Sequence, residues 1–164
     1  MDELQHSEFD LAYAAEQLRR ARHPLRQRIK SAYLRNVLRE LDGPSVDLGC
    51  GAGQMLARMP SGSVGIEVNP HLIAHLRGRG LSVIDAAGIT DPFELAFLPA
   101  GRYRCLVLSH VLEHFVAADA CLRRLLARCR QLGIGKLVLV VPGWAGFKSD
   151  HTHKTFVDRA YLAA

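Results

Sequence analysis

The chain has 164 residues, 49% of them hydrophobic and 23% charged, the balance of one ordinary globule rather than of a disordered chain. Its net charge is +5, and no apolar run approaches the roughly 18–20 residues of a membrane span. The acidic opening has no apolar core and is no secretion signal, and the four cysteines (Cys50, Cys105, Cys121, Cys129) form no C-x-x-C pair, so the expected compartment is the cytoplasm.

Phe9 to Ala21 reads as a weak helical segment, closed by His23-Pro24. Leu25, Ile29, Tyr33, Val37, Leu38 and Leu41 then recur at three- and four-residue steps, the mark of an amphipathic helix that stops before Gly43-Pro44. Residues 1–42 are thus expected as a helical preface to a domain at 43–164. Arg19 to Arg39 carries eight basic residues and no acid, which reads as a solvated helix face or as a surface for RNA or acidic lipid head groups.

After Pro44 the rhythm changes. The strands "SVDL", "SVGIE", "LSVI", "RCLVL" and "KLVLVV" alternate with helical stretches. A brief helix is expected at "QMLARM", and another after Asn69-Pro70, with Asn as cap and Pro at the first helical position. A short one opens at "DPFEL", and a long one runs from about Ala117 to Leu132, ended by Gly133. Near-continuous apolar strands joined by helices predict a doubly wound α/β fold of about five mostly parallel strands, with ligands at the strands' carboxyl ends. The chain ends at "RAYLAA", which looks like the start of a helix, and a sheet closed by its fifth strand would leave an edge open to pairing with a second copy.

Asp47-Leu48-Gly49-Cys50-Gly51-Ala52-Gly53 lies at a strand-to-helix junction, where glycines let the main chain turn sharply and come close to a ligand. Glu67 ends the second strand twenty positions after Asp47, where a carboxylate can accept both ribose hydroxyls of a nucleoside cofactor. "VDLGCGAG" with "GIEVNP" resembles the class I S-adenosylmethionine-dependent methyltransferases. The resemblance implies a Rossmann-like methyltransferase fold whose sixth and seventh strands are missing here, and S-adenosylmethionine as cofactor with S-adenosylhomocysteine as product. It implies that the turn Gly49, Cys50, Gly51 and Gly53 passes under the methionine part and that Asp47 faces the methionyl ammonium. Glu67 would bind the ribose, Asp85 the adenine amino group, and Ser109 or His110 would line the pocket. Rival readings are a catalytically silent cofactor-binding module and a nicotinamide-dependent oxidoreductase.

His110-Val111-Leu112-Glu113-His114 fits the H-x-x-E-H pattern of one zinc-peptidase group. It also matches the "LEH" wording after strand four in the methyltransferases. Loops after strands four and five converge over one end of such a sheet, so His110, Glu113 and His114 can approach His151 or His153, a mix that suits a divalent ion. The sequence commits no residue to metal. In small-RNA 2′-O-methyltransferases a comparable set binds a metal near the acceptor hydroxyl, whereas "DHTHKTF" resembles many small-molecule enzymes. Three uses remain open for this stretch: metal ligands, helix capping by Glu113 and His114, or bases at His110, His114 and His153. Trp144 and Phe147 read as acceptor walls or as loop packing. The expected reaction is O- or N-methylation of a small molecule, with an RNA acceptor as the alternative.

Overall fold

The computed structural model describes residues 10–163, apart from the side chains of Leu25, Arg26, Ile29 and Pro92. Phe9, the expected start of the first helical segment, lies outside those residues, as do the side chains of Leu25 and Ile29 from the expected apolar stripe.

Five parallel strands form one sheet: β1 (Ser45–Leu48), β2 (Val64–Glu67), β3 (Val83–Asp85), β4 (Cys105–Ser109) and β5 (Lys136–Val140), in the order β3-β2-β1-β4-β5. β1 and β2 are buried at every position and β4 at all but its last residue, as expected of strands covered on both faces. Strand order reverses between β1 and β4, which opens a crevice at their carboxyl ends. Register sets Asp47 beside Gly65 and Val107, Glu67 beside Asp85, and Ser109 beside Val140. Four acidic or polar residues, Asp47, Glu67, Asp85 and Ser109, therefore lie along one rim.

Among the described residues, six α-helices accompany the sheet: α1 (Leu11–Arg22), α2 (Pro24–Arg39), α3 (Pro70–Gly78), α4 (Ala118–Leu132), α5 (Trp144–Lys148) and α6 (Arg159–Ala163). One face of the sheet packs Val46, Ile66, Leu106 and Leu108 against Leu125, Cys129 and Leu132, the last three from α4. The other packs Val107, Val138 and Val140 against Leu34 and Val37 of α2, with Met55 between them. Burying each such aliphatic side chain contributes about 1.5–3 kcal/mol, so α2 is held to the sheet by its own core. Gln54 adds polar ties: it accepts from Lys30 Nζ at 3.0 Å and donates to the Ala21 carbonyl at 3.0 Å. Asn69 caps α3 by accepting from the His71 and Leu72 amides, and it donates to the Asp10 carbonyl at the start of α1.

Two local expectations change. "QMLARM" forms only a 3₁₀ turn, Leu56–Arg58, because the glycine turn before it and Pro60 after it leave too few residues to nucleate an α-helix. "DPFEL" likewise yields a single 3₁₀ turn. α4 ends on Gly133 in the left-handed conformation, as its glycine requires, while its N-cap is Ala117 with no side-chain cap bond. Glu113 and His114 therefore do not cap it.

Candidate functional site

The glycine turn and Glu67 are in direct contact. Gly51 N–H donates to Glu67 Oε2 at 2.7 Å, while the Val68 and Asn69 amides donate to Oε1 at 2.9 and 3.0 Å. A carboxylate offers about four lone-pair sites, so three amides leave Glu67 one further acceptor position.

The three glycines of the turn all have positive φ, yet they do different work. A Cβ on Gly51 would meet nothing within 4 Å, so this is the stretch of backbone open to a ligand. A Cβ on Gly49 would come within 2.8 Å of Val111 Cγ2, which seats the β4 loop against the turn. One on Gly53 would strike Leu76 Cδ2 at 2.3 Å, making Gly53 a packing glycine between the turn and α3. Cys50 contributes to the turn differently from its glycine neighbours. Its side chain is buried with Leu56 and Leu76, and burial pushes its thiol far up, so only its backbone belongs to the turn.

Asp47 is the site's first electrostatic anomaly. It is 1% exposed and its Oδ2 has no hydrogen-bond partner among the described residues. Burial, and then the neighbouring Glu67 charge, push its carboxyl up to about 7, against a backbone hydrogen bond from Leu56. A cation arriving at Oδ2 would relieve that cost. Asp85 is exposed and accepts from the Ala87 amide at 3.0 Å, one strand over from Glu67. Tyr33 of α2 is partly buried beside these strand ends, its ring edge-on to that of His110 at 6.1 Å, and burial pushes its phenol up. Tyr33 is a residue the sequence reading assigned only to a helix stripe; nothing local showed that α2 would bring it to the strand ends.

Beyond β4 lies a second group. His110 has φ +59°, a strained conformation for a non-glycine residue, and its amide donates to the Val140 carbonyl, extending the β4–β5 pairing. Its Nδ1 lies 3.1 Å from Oε1 of Glu113, which is fully buried, and the His110 ring meets the Tyr33 ring edge-on at 6.1 Å. Glu113 Oε2 has no partner. His153 Nε2 stands 3.9 Å from Glu113 Oε1, and the His114 and His153 rings are 5.0 Å apart. The Glu113 carbonyl accepts the Lys154 and Thr155 amides, which ties the two loops together. His151 is exposed and stays outside this group, so of the two downstream histidines it is His153 that joins Glu113 and His114. His110 and His114 share no α-helix, since a single 3₁₀ turn (Leu112–His114) separates them; the peptidase geometry is absent.

Around His153, the rings of Trp144, Phe147 and Phe156 pack on one another at 5.0–6.1 Å, Phe147 stacking on the imidazole at 5.5 Å. Trp144 remains 55% exposed with Lys148 Nζ over its ring. Loop packing and an open aromatic surface thus coexist here. On the outer side of the glycine turn, a cleft of about 330 Å³ is lined by Arg22, Lys30, Arg58, His75 and Arg79 among others.

A doubly wound sheet in the order 3-2-1-4-5, with a glycine turn after β1 gripped by an acid ending β2, defines the class: the chain has the class I S-adenosylmethionine-dependent methyltransferase fold. A SAM-dependent methyltransferase from Archaeoglobus fulgidus is 25% identical with a TM-score of 0.65, the match covering 83% of this chain and 65% of that one. DhpI, solved as a complex with SAM and HEP, is 17% identical with a TM-score of 0.56, covering 86% and 60%. The chain therefore spans a little under two thirds of these structures. No family model and no curated protein matches it.

Proposed function

We propose that the chain binds S-adenosylmethionine across the glycine turn and Glu67 and transfers its methyl group to a small-molecule oxygen or nitrogen at the loops after β4 and β5. The observation that carries this is the open backbone at Gly51, bonded to a carboxylate with one acceptor site to spare. When bound, the cofactor supplies an electrophilic methyl on a sulfonium. The chain's part is alignment and exclusion of water, because an in-line displacement asks for little covalent help.

Each residue then has a task. The unpartnered Asp47 Oδ2 holds the methionyl ammonium, directly or through water, which fits an orphaned buried oxygen. Glu67 takes a ribose hydroxyl, and Asp85 stands at the strand end for the adenine amino group. Ser109, the last residue of β4, stands at the pocket wall. Glu113 Oε1 accepts the His110 Nδ1 proton, leaving Nε2 free to take a proton from an acceptor hydroxyl or protonated amine. This is the tautomer control that a buried carboxylate exerts on a catalytic imidazole. The aromatic surface at Trp144 and Phe147 favours an acceptor with a planar or apolar body.

Incubation with methyl-labelled cofactor and fractionated cell extract tests the proposal. Label is expected in low-molecular-weight material. Label in RNA would instead favour the second reading, to which the basic cleft gives its one support, with binding that falls steeply with salt. Tight S-adenosylhomocysteine binding by calorimetry without transfer to any fraction would leave a binding module, and absence of binding would overturn the cofactor assignment itself.

A further inference from the structure

We propose that the cleft on the outer side of the glycine turn binds a small phosphate-bearing anion, at a site separate from the cofactor's. Four elements build it. Arg22 ends α1, Lys30 lies on α2, Arg58 ends the 3₁₀ turn after the glycines, and His75 and Arg79 lie on α3 and at its end. Among the described residues, no acid lines it.

Charge is the first argument. Glu16, the one acid of α1, is already taken by Arg19 and Arg20, each at 2.6 Å, and does not reach the cleft. Arg79 Nη1 donates to the Ala52 carbonyl at 3.3 Å and Lys30 Nζ to Gln54 Oε1 at 3.0 Å. Those neutral oxygens hold the two cations in place without cancelling their charge. His75 registers the result: burial, and then the charges of Arg79 and Arg22, push its imidazole below its ordinary value. An anion seated among these groups replaces repulsion by attraction.

Size and donor geometry choose the anion. At about 330 Å³ the cleft stands at the small end of ligand pockets, which run from about 300 to 1,000 Å³, so it suits a small molecule better than a nucleic-acid strand. Each guanidinium presents a fork of donors that matches phosphate oxygens. Arg22, Arg58 and Arg79 together outnumber the two oxygens of a carboxylate, whereas a diphosphate has oxygens and charge for all of them. All three arginines are exposed, so entry is open, and Leu18 and Leu34 add an apolar wall for an organic body. The bound anion would brace α1 against α3 across the 3₁₀ turn, where Gln54 already donates to the Ala21 carbonyl at 3.0 Å.

Calorimetry on the full chain in chloride buffer at physiological salt decides it, with inorganic pyrophosphate as the probe. One equivalent is expected, bound about tenfold or more tighter than orthophosphate. In its presence the His75 imidazole should titrate at higher pH, read by proton NMR. Arg22→Gln and Arg58→Gln, both at exposed positions, should each weaken it about 10–100-fold, the loss of a charge-assisted contact. Arg39→Gln, the same change of charge at the far end of α2, should leave it unchanged. Tighter binding of adenosine diphosphate would assign the site to an organic phosphate, and equal binding to a free one. No uptake of pyrophosphate, or an equal loss in Arg39→Gln, would overturn the site. So would a single-stranded RNA oligonucleotide held more tightly than pyrophosphate and weakened by Arg39→Gln, the mark of a nucleic-acid surface along the whole helix face. S-adenosylhomocysteine should bind alongside pyrophosphate; displacement of one by the other would make the cleft part of the cofactor pocket and end its standing as a separate site.

Discussion

The two halves of the strand-end rim solve opposite problems. Around β1 and β2, the acid Glu67 is filled by three backbone amides, so the turn is stiff and the ligand meets prepared backbone. Around β4 and β5, Glu113 is surrounded by imidazoles and carries an orphaned oxygen. The first half is built from main-chain donors at short sequence range. The second is built from side-chain acceptors brought together by two loops. Each half keeps one unsatisfied buried carboxylate oxygen, on Asp47 and on Glu113, and that shared deficit shows where positive charge belongs.

The sharpest break between the halves is kinetic. His110→Ala should lower turnover about 10²–10⁴-fold, the scale of a lost general base, while S-adenosylhomocysteine affinity in calorimetry stays unchanged. An equal fall in affinity would mean that the halves are not separate.

Asp47→Asn probes the first half through pH. The folded carboxyl titrates near 7, against an ordinary value of 3.8, so the folded state holds its proton where the unfolded state has lost it. The stability this gives is full below about pH 4 and lost as pH rises through 7. Asp47→Asn should flatten that decline in urea titrations without cofactor, by at most about 4 kcal/mol above pH 7, while weakening cofactor binding.

The glycines divide the same half more finely. Gly53→Ala should destabilise the fold by about 2–4 kcal/mol, since its Cβ would enter Leu76 at an unfavourable φ. Gly51→Ala carries only the φ penalty, about 1 kcal/mol, yet should impair cofactor binding more; chemical denaturation and calorimetry on both separate packing from recognition. Glu67→Gln should cost about 1–3 kcal/mol of cofactor affinity, the range of a charge-assisted hydrogen bond.

Much of the first half was legible in the letters. Asp47, the glycine run and Glu67 lie within twenty positions, and strand ends announce themselves by where apolar runs stop. What the letters did not show there was how the turn packs. Cys50 turns into the core and Gly53 serves Leu76, because α3 closes on the turn and periodicity carries no information about such a contact. In the second half the residue types were visible, but not their pairing. The choice of His153 over His151, and the parts of Asp150, Thr152 and the Phe147 carbonyl, depend on contacts between the loop after β5 and the β4 loop some forty residues earlier.

Sequence alone determined the parallel sheet, the helix start at Asn69-Pro70, the helix stop at Gly133, and the turn-and-acid pair, since these follow from local backbone preference and from burial on both strand faces. Tertiary structure alone decided how the loops meet: which groups the imidazoles bond, which carboxylate oxygen is left bare among the described residues, and that a tyrosine from α2 reaches the His110 ring. Hydrogen bonds between distant segments exist only once the sheet has brought their ends to one rim, and no pattern along the chain encodes them.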